Sequence, residues 1–332
     1  MSELTMRCPV CEGIAFFPGT EIFDDRYGEP NRYQLAHCAA CGHMATAPRL
    51  RESDLPGLYS NYYPRKNIGA DDVAREADKA KRVFAGWIRW WNGTDNQGQY
   101  SVRAGELMLD VGCGSGTSLL EAKALGATAF GIEADPNVKP IAAALGLTIH
   151  FGNLQDRPFP QQAFDLIVMN QVVEHLPDPD EGLCALSERL TPTGRMVLVF
   201  PNTASLWRRL SGSRWINWHT PYHLHHFDRK HFERMVRRCG LEVVRSRTIT
   251  PNVWTLLQLR ANRYAPQLGK PSPIWVVADR SEAAQGGARK SNPLRALLRV
   301  SVLFAFAALN RVIDALGMGD SLLVELRQER KQ

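Results

Sequence analysis

LDVGCGSG, residues 109–116, decides how the rest of the chain is read. The apolar run LMLDV (107–111) leads into it and a helical pattern, LLEAKALG, follows. Asp110 is followed by Gly112, Gly114 and Gly116 on alternate positions. Glycines spaced this way let the backbone approach a ligand closely, and the helix behind them points its N-terminus at that ligand. Dinucleotide-binding proteins also carry a glycine-rich turn here, but theirs is spaced G-x-G-x-x-G. The next strand-like run, TAFGIE (128–133), ends on Glu133. A carboxylate at that place can accept both hydroxyls of a ribose.

Working outward, the pattern alternates. LTIHF (147–151), FDLIVMN (164–170) and GRMVLVF (194–200) read as further strands, with helices at NVKPIAAALG and around 179–190. Such alternation implies a parallel α/β sheet covered on both faces. LEVVRSRTI (241–249) and SLLVELRQ (321–328) read as two later strands. Upstream, DDVAREADKAKRVFAGWIRWW (71–91) has an acidic start and predicts one helix. The Tyr/Pro-rich stretch LPGLYSNYYPRKN reads as a connector, and the Gly/Ala/Ser/Arg-rich 279–293 as a mobile loop.

DVGCGSG, then GIEAD, then FDLIVMNQVVEHL, resemble class I S-adenosylmethionine (SAM)-dependent methyltransferases. Within these they are similar to the branch acting on small molecules, which includes ubiquinone and sugar methyltransferases. The resemblance covers about residues 100–250 and the last strand. It implies a Rossmann-like sheet of seven strands with the last antiparallel. It implies that Asp110, Gly112, Gly114 and Gly116 hold the amino-acid end of SAM and that Glu133 holds its ribose. Asn153 and Leu154 would flank the adenine; relatives often have Asp at the first position, but Asn can still bond the adenine amino group. Asn170, closing the fourth strand, would complete the cofactor site. Nucleobase amine methyltransferases carry N/D-P-P-Y/F/W there, and the Asn170-Gln-Val-Val of this chain departs from that motif.

The first 50 residues hold Cys8-Pro-Val-Cys11 and Cys38-Ala-Ala-Cys41, each followed by a glycine within two residues. Two C-x-x-C knuckles can direct four thiolates at one zinc ion, leaving no open position, so the metal would hold the fold. A redox C-x-x-C or unrelated thiols are the alternatives. A zinc ribbon also precedes this domain in sugar C-methyltransferases and in some ribosomal RNA guanine methyltransferases. The expected organisation is a ribbon at 1–50, a connector with a leading helix at 51–104, and the methyltransferase domain at 105–332 with an insertion at 251–318.

HTPYHLHHF (219–227) puts four of the chain's nine histidines into nine positions. In the resembling family this segment lies over the acceptor site. His175, in EHLPDP, and His219 and His223 are therefore the candidates for acceptor binding or proton removal. Three histidines could instead ligate a metal, but SAM needs no Lewis acid, and no carboxylate interrupts the cluster before Asp228. Histidines that shape a helix start are the structural alternative. Trp207, Trp215 and Trp218 nearby read as core, or as a platform for a sugar or aromatic ring.

The chain has 332 residues, 44% hydrophobic, with a net charge of +6. Residues 203–263 hold a dozen Lys/Arg against Asp228, Glu233 and Glu242, which suits an anionic partner as well as a solvated face. No apolar h-region opens the sequence and no run is long enough to span a bilayer, so a cytoplasmic protein is expected. RALLRVSVLFAFAALNRVIDALG reads as a core or dimer helix, or as a membrane-surface helix over 294–316. The expected activity is methyl transfer to a small molecule, anionic or sugar-linked. An RNA methyltransferase and a non-catalytic SAM binder are the rivals.

Overall fold

The computed structural model describes residues 4–62, 69–275 and 293–329. Thirteen strands are formed among them. Five come from the ribbon region: β1 (Leu4–Thr5), β2 (Ala15–Phe17), β3 (Glu21–Phe23), β4 (Arg32–Cys38) and β5 (Met44–Ala47). β6 (Leu107–Val111), β7 (Thr128–Glu133), β8 (Thr148–Phe151), β9 (Phe164–Asn170) and β10 (Leu190–Pro201) alternate with helices. β11 (His225–His226), β12 (Leu241–Ile249) and β13 (Ser321–Gln328) follow.

The larger sheet has seven strands in the order β12-β13-β10-β9-β6-β7-β8. β6 to β10 pair in parallel, and β13 runs antiparallel to both neighbours. Its centre is apolar on both faces: Met108, Leu109, Leu166, Ile167, Val168 and Leu198 are wholly buried, as a parallel strand covered by helices on each side requires. The reversed final strand and the alternation read from the sequence are both present.

The smaller sheet follows the order β1-β2-β4-β5-β11, with β3 on β4. Its last strand comes from the histidine-rich segment, His225 pairing with Ala45 and His226 with Met44. Cys8, Val10, Phe16 and Ala36 share one core with Phe200, Phe227 and Phe232. Arg7 clamps Asp180 in a fork (3.1 and 2.6 Å), and Arg49 donates to Asp178 (2.6 Å). The ribbon is thus fastened to the Pro177–Asp180 stretch that follows His175.

Two local expectations are corrected. The single helix over 71–91 is two, Ala70–Asp78 and Ala85–Asn92. Arg82 turns extended and Phe84 takes φ 64°, so the axis breaks between them. The connector contains a helix, Leu55–Asn61. Cys184 and Cys239 form a disulfide joining helix Pro179–Ser187 to the end of helix Arg229–Arg237. The 279–293 stretch lies, but for its last residue, outside the described residues. No described helix is long and apolar enough to cross a membrane.

Candidate active site

β6 delivers Asp110 to the carboxyl edge of the larger sheet, buried beneath the glycine turn. Its Oδ2 accepts from the Ser118 hydroxyl, while Oδ1 has no protein partner. Burial raises this carboxyl to about 7. Gly112, Gly114 and Gly116 all take positive φ, at 74°, 55° and 83°. A Cβ on Gly112 would strike Val172 at 2.5 Å and one on Gly116 would strike Leu147 at 2.3 Å. Gly114 alone faces open space. Its N–H donates to Glu133 Oε2 (2.7 Å), and Asp135 N–H donates to Oε1 (2.8 Å). The carboxylate at the end of β7 is therefore fixed beside the turn with lone pairs to spare.

A cavity of about 520 Å³ opens over Asp110, Gly112 and Asn170, roofed by the helices Ala70–Asp78 and Ala85–Asn92. That volume suits a ligand of nucleoside size. Asn153 is exposed and starts the turn Leu154–Asp156, with Leu154 partly buried against the core. Asn170 spends its amide on the Gly98–Ser101 turn: Oδ1 accepts from Gly98 N–H (2.7 Å) and Nδ2 donates to Gln99 (3.0 Å). The open room above Gly114, the unpartnered Asp110 oxygen and the anchored Glu133 together fit SAM.

The four knuckle thiols also meet. Cys8 Sγ lies 3.7 Å from Cys41 Sγ, and Cys11 Sγ 3.6 Å from Cys38 Sγ. Sulfurs about 2.3 Å from one zinc at tetrahedral corners stand about 3.8 Å apart. The donor set and its spacing fit a structural zinc.

Past β9 the chain turns sharply at Gln171 (φ 57°) and brings His175 against His223 (ring centres 4.6 Å) and His219 (6.3 Å). His219 also holds a left-handed backbone, φ 40°. Such conformations cost about 1–3 kcal/mol in residues other than glycine and persist where the surroundings enforce them. His175, distant in sequence, joins His219 and His223 in one cluster. His223 Nδ1 donates to the Asn217 carbonyl (2.9 Å), so its Nε2 accepts from His219 Nδ1 (3.3 Å). His175 Nδ1 donates to the Tyr222 carbonyl (2.9 Å) and lies 3.1 Å from the Tyr59 hydroxyl, which leaves Nε2 as the basic nitrogen. His219 and His223 are buried, whereas His175 is half-buried.

Glu174 lies beneath them, wholly buried, with neither carboxyl oxygen bonded. Burial raises it to about 8 and lowers His175 to about 4, and holds His223 and His219 well below the usual range. The 3.9 Å approach of Glu174 to His223 is accordingly a contact between neutral groups, not an ion pair. Glu174, His175 and His223 offer donor atoms within 4.8 Å of one another, a spacing one ion could also span.

The other two histidines of the segment are structural. His226 Nε2 meets the Thr46 hydroxyl (3.0 Å), and His225 donates to the Pro177 carbonyl (3.1 Å). Trp215 and Trp218 are core residues whose indole N–H groups bond Asp320 and the Gly212 carbonyl. Tyr27, Tyr59 and Tyr222 ring the cluster with edge-on contacts of 5.4–5.7 Å and were not singled out from the sequence. Only the aromatic richness of the connector hinted at Tyr59.

Residues 95–246 match a family described as a methyltransferase domain. This stretch of the chain is thus similar to a methyltransferase domain. Over 149 residues the chain is 32% identical to a ubiquinone biosynthesis O-methyltransferase of Cereibacter sphaeroides (strain ATCC 17025 / ATH 2.4.3), covering 41% of this chain and 60% of that protein. Over 103 residues it is 34% identical to a demethylmenaquinone methyltransferase of Tropheryma whipplei (strain Twist), covering 29% of this chain and 42% of that protein. The chain thus spans less than two thirds of these curated relatives. A solved S-adenosylmethionine-dependent methyltransferase from Mesorhizobium loti is 16% identical, covering 68% of this chain and 91% of that one, with a TM-score of 0.41. The matched region holds the glycine turn and His175, and the histidine segment lies at its far end.

Proposed function

We propose that the chain is a SAM-dependent methyltransferase acting on a hydroxyl-bearing small molecule, a sugar, sugar-linked or quinol-like compound, with a structural zinc in its ribbon. The observation that carries this reading is the open space above Gly114 beside the anchored Glu133 carboxylate. Asp110 and the three glycines would hold the amino-acid end of SAM, and Glu133 its ribose. When bound, SAM supplies an activated methyl group. The chain must then place the acceptor and take its proton.

His175 suits that task. It is the half-buried member of the cluster, its tautomer is fixed by the Tyr222 carbonyl, and its free Nε2 is unprotonated at neutral pH. His223 and His219 line up behind it and Glu174 lies beneath. Tyr27 packs edge-on to His219, and the Tyr59 hydroxyl meets His175 Nδ1 (3.1 Å). The likeness to quinone O-methyltransferases supports oxygen as the methylated atom.

The test is to incubate the full chain with methyl-labelled SAM and a cell extract and to fractionate the label. Label in the small-molecule or lipid fraction is expected, with its loss in His175→Ala. Label in RNA, or no measurable SAM binding, would overturn the reading.

A further inference from the structure

The helices Ala85–Asn92 and Pro293–Ala315 meet at one edge of the molecule. Trp91 packs on Phe304 (ring centres 4.7 Å) and stacks with Trp87 (6.0 Å, 7° between planes). The Arg311 guanidinium donates to the Trp90 carbonyl across the junction. Much of the apolar surface at and beside this seam still faces water. Phe84 is 76% exposed, Trp87 60% and Phe304 60%. Ser301 to Ala305 are exposed in unbroken succession, whereas Ala307, Asn310 and Ile313 are buried. An aromatic patch this contiguous is rare on a soluble surface and marks a binding face.

Charge identifies the occupant. In the sequence, Lys79, Lys81 and Arg82 run directly into the exposed Val83 and Phe84, and Arg295 and Arg299 stand ahead of the exposed Ser301–Ala305, with no acid in 79–92 or 293–310. Tryptophan and phenylalanine flanked by cations are the chemistry of a protein lying on an anionic lipid surface: the rings sit at headgroup level and the cations meet phosphates. We infer that this face docks on an anionic phospholipid bilayer, with Phe84, Trp87 and Phe304 immersed. The inner side of the same short helix, through Ala85, Ile88 and Arg89, walls the cavity over Asp110. Docking would thus bring that cavity to the membrane, where an acceptor on a lipid carrier resides; this last step rests on the methyl-transfer reading, whereas docking itself does not.

The test is flotation of the full chain with phosphatidylcholine vesicles, with and without phosphatidylglycerol. The protein should float only with the anionic vesicles, with a blue shift of tryptophan emission and weaker partitioning as salt rises. Phe84→Ser combined with Trp87→Ser should weaken partitioning about tenfold or more while SAM affinity stays unchanged. Phe304→Ser, on the other helix, gives a second reading should the double variant not fold. Absence of flotation with anionic vesicles at low salt would overturn the inference, as would flotation indifferent to both variants. A dimer in light scattering that Phe84→Ser/Trp87→Ser converts to monomer would assign the face to a second copy of the chain instead.

Discussion

Replacing Glu174 by glutamine should stabilise the protein, and by an amount that grows with pH. Glu174 is wholly buried, neither oxygen is bonded, and its carboxyl is raised from 4.5 to about 8 by desolvation. A folded-state value above the unfolded one means that the native state binds the proton more tightly. The stability it confers is complete below about pH 4.5 and is lost as pH rises towards 8. At roughly 1.4 kcal/mol per pH step, wild type should lose about 3 kcal/mol through this one group by pH 7 and about 5 kcal/mol above pH 8. Glutamine keeps the volume and never ionises. Glu174→Gln should therefore match wild type near pH 4.5 and exceed it by about 3 kcal/mol at pH 7. Urea unfolding of both proteins from pH 5 to 8, at equal m-values, reads the difference directly. Asp110 and the other buried acids titrate in both proteins and cancel. A difference that does not change with pH would refute the burial argument. A Glu174→Gln protein less stable than wild type at pH 7 would show that the carboxylate is ionised, against a protonated imidazole or a cation shared with His175 and His223.

Three further outcomes are expected. Gly114→Arg should abolish SAM binding in calorimetry while costing only about 1–2 kcal/mol of stability, because its Cβ meets open space and the strain is that of a left-handed backbone alone; unchanged SAM affinity would refute the site. Cys38→Ser should lower zinc content by metal analysis and the unfolding temperature with it; a full zinc complement in the variant would remove the four-cysteine assignment. Thr46→Val should cost about 1–3 kcal/mol, since the hydroxyl that donates to the His223 carbonyl (2.7 Å) and meets His226 is lost from a buried place. It should also raise the acceptor KM with the SAM Kd unchanged, and an equal loss of both affinities would show general unfolding instead.

The larger sheet was legible because each strand is a short apolar run bounded by turn residues, a pattern set within five to eight neighbours. The positions of Asp110 and Glu133 followed from the same local grammar. Where the sequence was misleading, a single backbone torsion or a distant partner intervened. Nothing in the composition of 71–91 announces the left-handed Phe84 that splits the helix. Two histidines do not read as a strand; His225 and His226 become one because β5 offers a free edge. Ring clusters such as His175 with His223 and Tyr59 join residues up to 164 positions apart, and no periodicity encodes that. The gathering of His175, His219 and His223 was expected only from the family likeness, and their burial, which makes His175 the reachable one, required the fold.

The strand His225–His226 has a consequence for the order of synthesis. The four cysteines, the last at residue 41, leave the ribosome well before residue 225 and can take up metal early. The sheet around them stays one strand short until residue 226 emerges, and the partners of Arg7 and Arg49 arrive only at 178–180. Through that interval Phe16 and Ala36 lack the core they share with Phe227 and Phe232. The start of the chain must therefore wait, partly open, for more than half of the remainder to be made. A nascent chain halted before residue 225 should expose this apolar surface to chaperones, and the full-length chain should bury it in one late closing step.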